Sequence, residues 1–274
     1  MSGILYVVGT PIGNLGDLSP RAVETLQSVD FIAAEDTRVT LKLLNHFEIK
    51  KPMISYFEHN KRERGDIICG RIEAGENCAI VTDAGMPCIS DPGEELVKQC
   101  AERGIQTVVV PGPSAVISAL AVSGLATGRF TFEGFLSTNK KSRLEHLEQL
   151  AGEKRTMIFY EAPHKLSGTL IDLYRAFGDR RISIVREITK IHEEVIRTTL
   201  QKAVEDYGDG SLKGEIVLVL EGADEDIDEE EFSIEQAAEI ARKFMEEGKS
   251  ASDSAKQAAK ISGFKKNEIY KMII

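Results

Sequence analysis

The chain of 274 residues lacks a long apolar run: none approaches the roughly 20 residues that a membrane-spanning helix needs. It also lacks the basic segment followed by an apolar one that would mark a secretory leader. We therefore expect a cytoplasmic protein with no membrane partner. Its apolar content of 42% is enough to bury the cores of two domains and an appendage.

Paired metal ligands are missing as well. The four cysteines form no Cys-x-x-Cys motif, and the five histidines show no metal-ligand spacing. We therefore expect buried, reduced thiols and no metal, rather than a zinc site or a disulfide framework. The cysteines are Cys69, Cys78, Cys88 and Cys100.

The chain also has no overall excess of basic residues: its net charge is −10. Taken alone, an acidic net charge argues against a nucleic-acid partner. However, seven of the acidic residues lie in the short segment 224–231. Local basic clusters occur at 61–64 and 140–143. Such clusters are either ordinary solvated faces or RNA contacts, and charge alone does not decide between them.

The first part of the chain alternates short β-branched runs with helical patterns. This alternation predicts an α/β fold with a parallel or mostly parallel sheet and helices on its faces. The second part predicts another α/β or α+β layer, with a cleft between the two. The predicted strands are 4–8, 30–34, 53–56, 78–82, 106–110, 130–135, 156–160, 181–185 and 215–220.

The chain divides into four predicted segments. Two α/β domains, 1–115 and 116–222, precede an acidic linker, 223–231, and a C-terminal helical domain, 232–274. Ser233 to Gln236 fits a capping box at the start of that last domain. Its three short helices resemble a helix-turn-helix module, although a plain helical cap on the catalytic body is equally consistent with them.

Glycine- and proline-rich loops follow three of the predicted strands, at Gly9–Asn14, Val81–Gly93 and Pro111–Ala115. The first loop is neither a dinucleotide-binding fingerprint nor a P-loop. Because loops at the strand ends of one sheet meet at one edge, together they favour a small-molecule pocket over three unrelated tight turns. Ser114 stands where it can cap the helix that begins near Ala115.

An ordered series of motifs carries a resemblance over nearly the whole chain. The series resembles the bacterial 16S rRNA (cytidine-1402-2′-O)-methyltransferases of the tetrapyrrole-methylase superfamily, the class III methyltransferases. The motifs are Leu5–Pro20, Ala34–Arg38, Ser55–Asn60, Val81–Gly93, Pro111–Ala115, Phe159–Lys165 and Arg186–Lys190 with His192–Glu194.

This resemblance implies a homodimeric enzyme that holds S-adenosylmethionine in the cleft between two α/β domains. Three residues depart from the family pattern as we read it: Met86, Ala162 and Lys165 stand where threonine, serine and arginine are common. The implied cofactor-binding residues are Pro11, Ile12, Asp83, Met86, Ser114, Ala115 and Ala162.

The implied reaction is methylation of the 2′-hydroxyl of a cytidine in the 16S rRNA of the small ribosomal subunit. Side chains of two kinds could assist this reaction. The candidate proton acceptors are Glu35, Asp36, Glu161 and Glu187, and the candidate cations that would stabilise the alkoxide are Arg38 and Lys190. We prefer Glu161 with Lys190, because each follows a strand that faces the cleft, but the sequence does not identify the base. Asp36 and Arg38 are alternatively a helix cap or pair, and Glu187 is alternatively a partner of Lys190.

Contacts with RNA are expected from side chains that supply positive charge or hydrogen-bond donors. The expected RNA contacts are His59, Asn60, Arg62, Lys140, Lys141 and Arg143.

Two rival functions remain open. One is another class III methyltransferase acting on a corrin precursor or a diphthamide precursor, and the other is a ribosome-assembly protein without turnover.

Overall fold

The computed structural model describes residues 2–223, 233–246, 248–262 and 264–274, and the chain forms two compact units, Met1–Gly222 and Ala223–Ile274. The predicted acidic linker lies outside the described residues, apart from Ala223. Both predicted α/β domains fall in the first unit, so a domain boundary near residue 115 stays a prediction.

The N-terminal half builds one five-stranded sheet in which all the strands are parallel, as its alternating pattern predicts. The sheet has the strand order β3-β2-β4-β1-β5. Its strands are β1 (Ile4–Val8), β2 (Phe31–Ala34), β3 (Met53–Ser55), β4 (Cys78–Val81) and β5 (Gln106–Val110). The helices between and after them are α1 (Pro20–Ser28), α2 (Thr37–His46), α3 (Lys61–Glu73), α4 (Gly93–Glu102) and α5 (Ala115–Ser123).

Helices on both faces explain why the inner strands are continuous apolar runs. Every residue of β2 and of β4 is buried, whereas the edge strand β5 is largely exposed. Since β4, β1 and β5 are parallel neighbours, the loops that follow them leave the sheet at the same edge. The three predicted loops are therefore brought together.

The second sheet is mixed, with the strand order β6-β7-β10-β8-β9. Its first pair is parallel and the other three pairs are antiparallel. The strands are β6 (Phe130–Phe135), β7 (Thr156–Glu161), β8 (Arg181–Arg186), β9 (Glu194–Thr199) and β10 (Ile216–Leu220). The helices are α6 (Lys140–Gln149), α7 (Leu166–Phe177) and α8 (Leu200–Tyr207).

The sequence analysis missed β9 and α8. Strand β9 is a half-exposed edge that carries Glu194 and Arg197, so it has no continuous apolar run to identify it. Thr199 accepts a hydrogen bond from the backbone N–H of Lys202 at 3.4 Å and so caps α8.

Helix α5 connects the two sheets. It follows the last strand of the first sheet, but its buried residues Val116, Ala119 and Leu120 pack against Ile158 of β7 and other residues of the second sheet. The N-terminus of α5 is thus held at the edge where the three loops meet.

The C-terminal unit contains three helices, α9 (Ile234–Glu246), α10 (Ala251–Ser262) and α11 (Lys266–Ile273). The predicted capping box is present: the Gln236 N–H donates to Ser233 Oγ at 3.2 Å, and the Ser233 N–H donates to Gln236 Oε1 at 2.8 Å. Small side chains, including Ala237, Ala241 and Ala255, form most of its core. Across the described residues, no helix is long and apolar enough to cross a membrane.

We expect Gly112→Ala to lower the free energy of unfolding by about 1–3 kcal/mol, the usual cost of overpacking. A Cβ at Gly112 would lie 2.8 Å from the Cα of Gly9, so one of the two backbones would have to shift. Gly70→Ala, on an exposed face of α3 with open space around it, is the control and should be neutral or stabilising. Denaturant unfolding checks both, and a Gly112 variant as stable as the native chain would contradict the prediction.

Candidate functional site

A pocket of about 470 Å³ lies within the Met1–Gly222 unit, between the loop edge of the first sheet and the second sheet. This is a usual size for a small-molecule site. Both halves of the unit contribute to its walls, as the sequence predicts for a cleft. From the first half come Ile12, Glu35, Thr82, Met86, Ser114 and Ala115, and from the second come Phe135, Tyr160, Glu161, Ala162, Ile188 and Glu215.

The loops after β1 and β4 are joined by backbone hydrogen bonds. The Thr10 N–H donates to the Gly85 carbonyl at 2.9 Å, and the Gly85 N–H donates to the Thr10 carbonyl at 3.1 Å. The hydroxyl of Thr10 also donates to the Thr82 carbonyl at 3.2 Å. Gly85 has a φ of 87°, which a glycine adopts without strain. These bonds fix one wall of the pocket.

The loops after β1 and β5 approach each other even more closely. A Cβ at Gly9 would lie 2.6 Å from the Cα of Gly112, so only glycine fits on either side. The sulfur of Met86 accepts a hydrogen bond from the Gly112 N–H at 3.2 Å. Met86, a predicted cofactor contact, therefore lines the pocket and also ties the loop after β4 to the loop after β5.

The N-terminus of α5 faces the pocket. Ser114 occupies the cap position with extended backbone, as predicted, but its side chain makes no capping hydrogen bond. The first intrahelical bond runs from the Ser118 N–H to the Ser114 carbonyl at 2.9 Å. The Ser114 hydroxyl and the Ala115 N–H thus precede the hydrogen-bonded part of the helix, where an anion is favoured.

Two carboxylates on the pocket wall are already engaged in hydrogen bonds. Glu161 is 5% exposed, and its two oxygens accept from the Ala162 N–H, at 2.8 Å, and from the Thr169 hydroxyl. Glu35 accepts from the Thr82 hydroxyl at 2.7 Å. These bonds hold both carboxylates in place.

Pro11 and Asp83, two of the predicted cofactor residues, do not line the pocket. Asp83 turns instead toward the loop after β2, where its Oδ1 accepts the Asp36 N–H at 3.1 Å. Burial raises the pKa of Asp83, and the nearby carboxylates of Glu35 and Asp36 add to this effect.

Asp36 and Arg38 form a helix cap, the alternative that the sequence left open. Asp36 accepts the Arg38 N–H at 2.8 Å and pairs with its guanidinium at 3.0 and 2.6 Å. The hydrogen bonds from the Arg38 side chain and backbone lower the pKa of Asp36 to about 2. The Arg38 side chain is 87% exposed, and neither residue lines the pocket, so their predicted catalytic role has no support from their position.

Lys190 belongs to a segment that we call the lysine loop, residues 187–190, and is not itself in the pocket wall, although Ile188 and its partner Glu215 are. Its Nζ pairs with Glu187 Oε1 at 3.0 Å and with Glu215 Oε1 at 3.2 Å. Burial lowers the pKa of Lys190, but the hydrogen bonds to Glu187 and Glu215 outweigh burial and the pKa is raised. The structure thus confirms that Glu187 pairs with Lys190.

The backbone of the lysine loop is in an uncommon conformation. Glu187 and Thr189 have φ values of 51° and 66°, in the left-handed region that favours glycine. Gly13, in the loop after β1, packs directly on this segment, and a Cβ there would lie 2.7 Å from Lys190 Cγ. The fold holds this conformation in place, and it directs Ile188 into the pocket wall.

The predicted RNA contacts divide into structural and exposed groups. Asn60 holds its own turn, donating to the Ser55 carbonyl at 3.1 Å and accepting the Phe57 N–H at 2.8 Å. Arg143 pairs with the buried Asp172 at 2.8 Å. The exposed members are His59, Arg62, Lys140 and Lys141.

The sequence analysis did not name several pocket residues as site residues, among them Ile89, Phe135 and Tyr160. Gly134 is the sequence signal that could have identified Phe135, since an isolated glycine in a strand pattern indicates a bulge. Glu215 was also missed, because the sequence shows only that it precedes an apolar strand.

We expect Glu187→Gln to lower the melting temperature at pH 7 and to lose this effect in acid. The hydrogen bonds from the Glu215 N–H and from Lys190 lower the pKa of Glu187 below its usual 4.5. The carboxylate therefore stabilises the fold above that value, and this contribution disappears as the pH falls through the lowered pKa.

Melting curves of the native chain and the variant from pH 3 to pH 8 check this prediction. Glu194→Gln is the control: it removes an exposed carboxylate that pairs with Arg186 at 2.8 Å, and such pairs contribute little. A difference between Glu187→Gln and the native chain that does not shrink at any acidic pH where the native chain still folds would contradict the assignment.

Comparison with known proteins places this architecture in a family. The model of the tetrapyrrole (corrin/porphyrin) methylases matches residues 4–204. Solved structures with a similar fold include uroporphyrin-III-C-methyltransferase from Thermus thermophilus, with a TM-score of 0.57, 18% identity and coverage of 80% of this chain and 94% of that one. Diphthine synthase has a TM-score of 0.58 and 13% identity, covering 80% of this chain and 90% of that one.

Curated relatives are much more similar in sequence. The ribosomal RNA small subunit methyltransferase I of Synechocystis sp. is 49% identical over 271 residues, 98% of this chain and 97% of that protein. The Bacillus subtilis protein of the same name is 44% identical, covering 98% and 93%. The one from Thermotoga maritima is 47% identical over 220 residues, 80% of this chain and 99% of that protein. This chain belongs to the tetrapyrrole (corrin/porphyrin) methylase family.

Proposed function

We propose that this protein transfers the methyl group of S-adenosylmethionine to the ribose 2′-oxygen of cytidine 1402 in the 16S rRNA of the small ribosomal subunit. The observation that carries the proposal is the near full-length identity, up to 49%, to proteins named ribosomal RNA small subunit methyltransferase I. The rival substrates, a corrin or diphthamide precursor, have less support: the family model describes a whole family of methylases, and the solved structures are under 20% identical, a likeness that supports the fold alone.

The pocket fits the cofactor chemically. A free cap hydroxyl at Ser114 and the start of α5 suit its carboxylate, and the carboxylates of Glu35 and Asp91 on the pocket wall suit its ammonium group. Ile12, Met86 and Ala162 supply apolar surface for the adenine. When bound, S-adenosylmethionine supplies an electrophilic methyl group on a sulfonium.

The ribose 2′-hydroxyl is a weak acid, and residues at the edge of the pocket assist its deprotonation. Lys190 supplies the positive charge that stabilises negative charge developing on the ribose oxygen. Glu215 lines the pocket, and its side chain is 79% exposed and 3.2 Å from Lys190, so we assign it as the proton acceptor. Glu161 is held by the Thr169 hydroxyl and positions the Ala162 backbone by accepting its N–H, a role that differs from the base preferred from the sequence.

The wider assignment follows from the substrate. A ribosomal RNA substrate supports a cytoplasmic location, and we retain as a proposal the homodimer that the resemblance implies. Lys140 and Lys141 at the start of α6, with His59 and Arg62 before and within α3, are the exposed side chains that we assign to the RNA backbone.

Labelled cofactor and small subunits from a strain without the gene test the function. The expected result is one label per subunit, on the 2′-oxygen of a single cytidine. Label on a base or on a protein, or no label at all, would reject the proposal.

Replacing Lys190 by Met should reduce kcat by about 100-fold or more, the range expected for a group that assists proton transfer or the resulting charge. Lys190→Arg should recover part of the rate, since it keeps the charge. Lys202→Met, which breaks the pair with Asp206 on α8, is the matched control and should leave kcat unchanged. Cofactor affinity, measured by calorimetry, should be close to native in all three variants; a Lys190→Met enzyme of native kcat would refute the role.

Replacing Ser114 by Ala should weaken cofactor binding by about 10- to 150-fold, because a hydrogen bond to a charged group contributes about 1.5–3 kcal/mol. Ser118→Ala, one turn further along α5 and away from the pocket wall, is the control. Calorimetric titration gives both dissociation constants. Equal affinities would show that the start of α5 does not contact the cofactor.

A further inference from the structure

Phe135 is a large apolar side chain that the fold leaves open to solvent inside the pocket. It is 61% exposed and lines the pocket from the end of β6. An aromatic ring that is exposed inside a pocket can contact a bound ligand. None of the cofactor contacts assigned above uses it.

A bulge in β6 aims this ring. The pairing of β6 with β7 shifts register between Phe132 and Gly134, and Gly134 has a φ of 63°. In a regular strand, Phe132 and Phe135 would point to opposite faces of the sheet. The extra residue brings both onto the ring of Tyr160, at centroid distances of 4.9 and 5.4 Å.

Tyr160 is a fixed support for Phe135. It packs against the apolar cluster that contains Val116, in the first turn of α5. Its ring meets Phe132 edge-on, with an interplanar angle of 69°. Phe135 is therefore exposed on one side and backed by packed aromatic rings on the other.

A second exposed apolar residue comes from the loop after β4. Ile89 is 58% exposed and lines the same pocket. Its neighbours Cys88 and Ser90 have φ values of 71° and 62°, so the loop projects Ile89 outward. A Cβ at Gly134 would lie 3.8 Å from Ser90 Oγ, which places this loop against the bulge.

We propose that Phe135 and Ile89 form the binding slot for the base of the target nucleotide, with the cytosine stacked on the ring of Phe135. This inference rests on the proposed function and takes the target cytidine to be splayed out of its stack, as in most sequence-specific recognition of RNA. The displaced base then loses its stacking partners. An exposed aromatic face restores that contact, as it does in proteins that bind unstacked bases.

The test compares three variants on small subunits that lack the modification. Phe135→Leu keeps an apolar side chain but removes the ring, and it should lower kcat/KM by about 10- to 100-fold, the usual effect of losing one stacked base. Phe135→Trp keeps a stacking face and should stay within a few-fold of native. Phe130→Leu is the matched control: Phe130 is 36% exposed on the same strand but does not line the pocket, and its loss should not change kcat/KM.

Two further measurements separate this slot from other uses of the ring. Cofactor affinity and oligomeric state should be the same in Phe135→Leu as in the native chain. Loss of cofactor affinity would assign Phe135 to the cofactor site, and a change in oligomeric state would assign it to a subunit interface; either overturns the slot. Native kcat/KM in Phe135→Leu also overturns it, whereas failure of the native enzyme to methylate the RNA would overturn the proposed function instead.

Discussion

The contact between the backbones of Gly9 and Gly112 is the constraint on which the pocket depends. Two loops that leave neighbouring parallel strands meet with no side chain between them, and a Cβ on Gly9 would lie 2.6 Å from the Cα of Gly112. The sulfur of Met86 then joins the third loop to the same point. Because these loops also carry Ile12 and Ser114, this one contact sets the spacing of the residues that line the first half of the pocket.

Acidic groups dominate the polar part of the pocket, yet they are not equivalent. The carboxylates of Glu35 and Glu161 are held by hydrogen bonds from Thr82 and Thr169. The carboxylate of Glu215 has only Lys190 as an ion-pair partner among the described residues. This difference separates groups that shape the pocket from a group that remains able to take part in proton transfer.

Much of this arrangement was predictable because parallel strands impose it. Once residues 4–8, 78–82 and 106–110 are identified as strands of one parallel sheet, their loops must share an edge, and Ser114 must precede a helix at that edge. The orientation of Asp83 was not predictable, since it depends on β2 being the neighbour of β4, which sequence patterns do not specify. Phe135 was missed for a similar reason: its face depends on the extra residue, Glu133, that lies between Phe132 and Gly134 in the bulge of β6.

Helix α5 has a consequence for how the molecule responds to a ligand. Its first turn borders the pocket, while Val116, Ala119 and Leu120 are core residues of the second sheet. A ligand that binds at this helix start stabilises every state in which the helix is packed, and so disfavours local opening of the second sheet. Slower amide hydrogen exchange would then extend into β7, β8 and β10, well beyond the residues that touch the ligand.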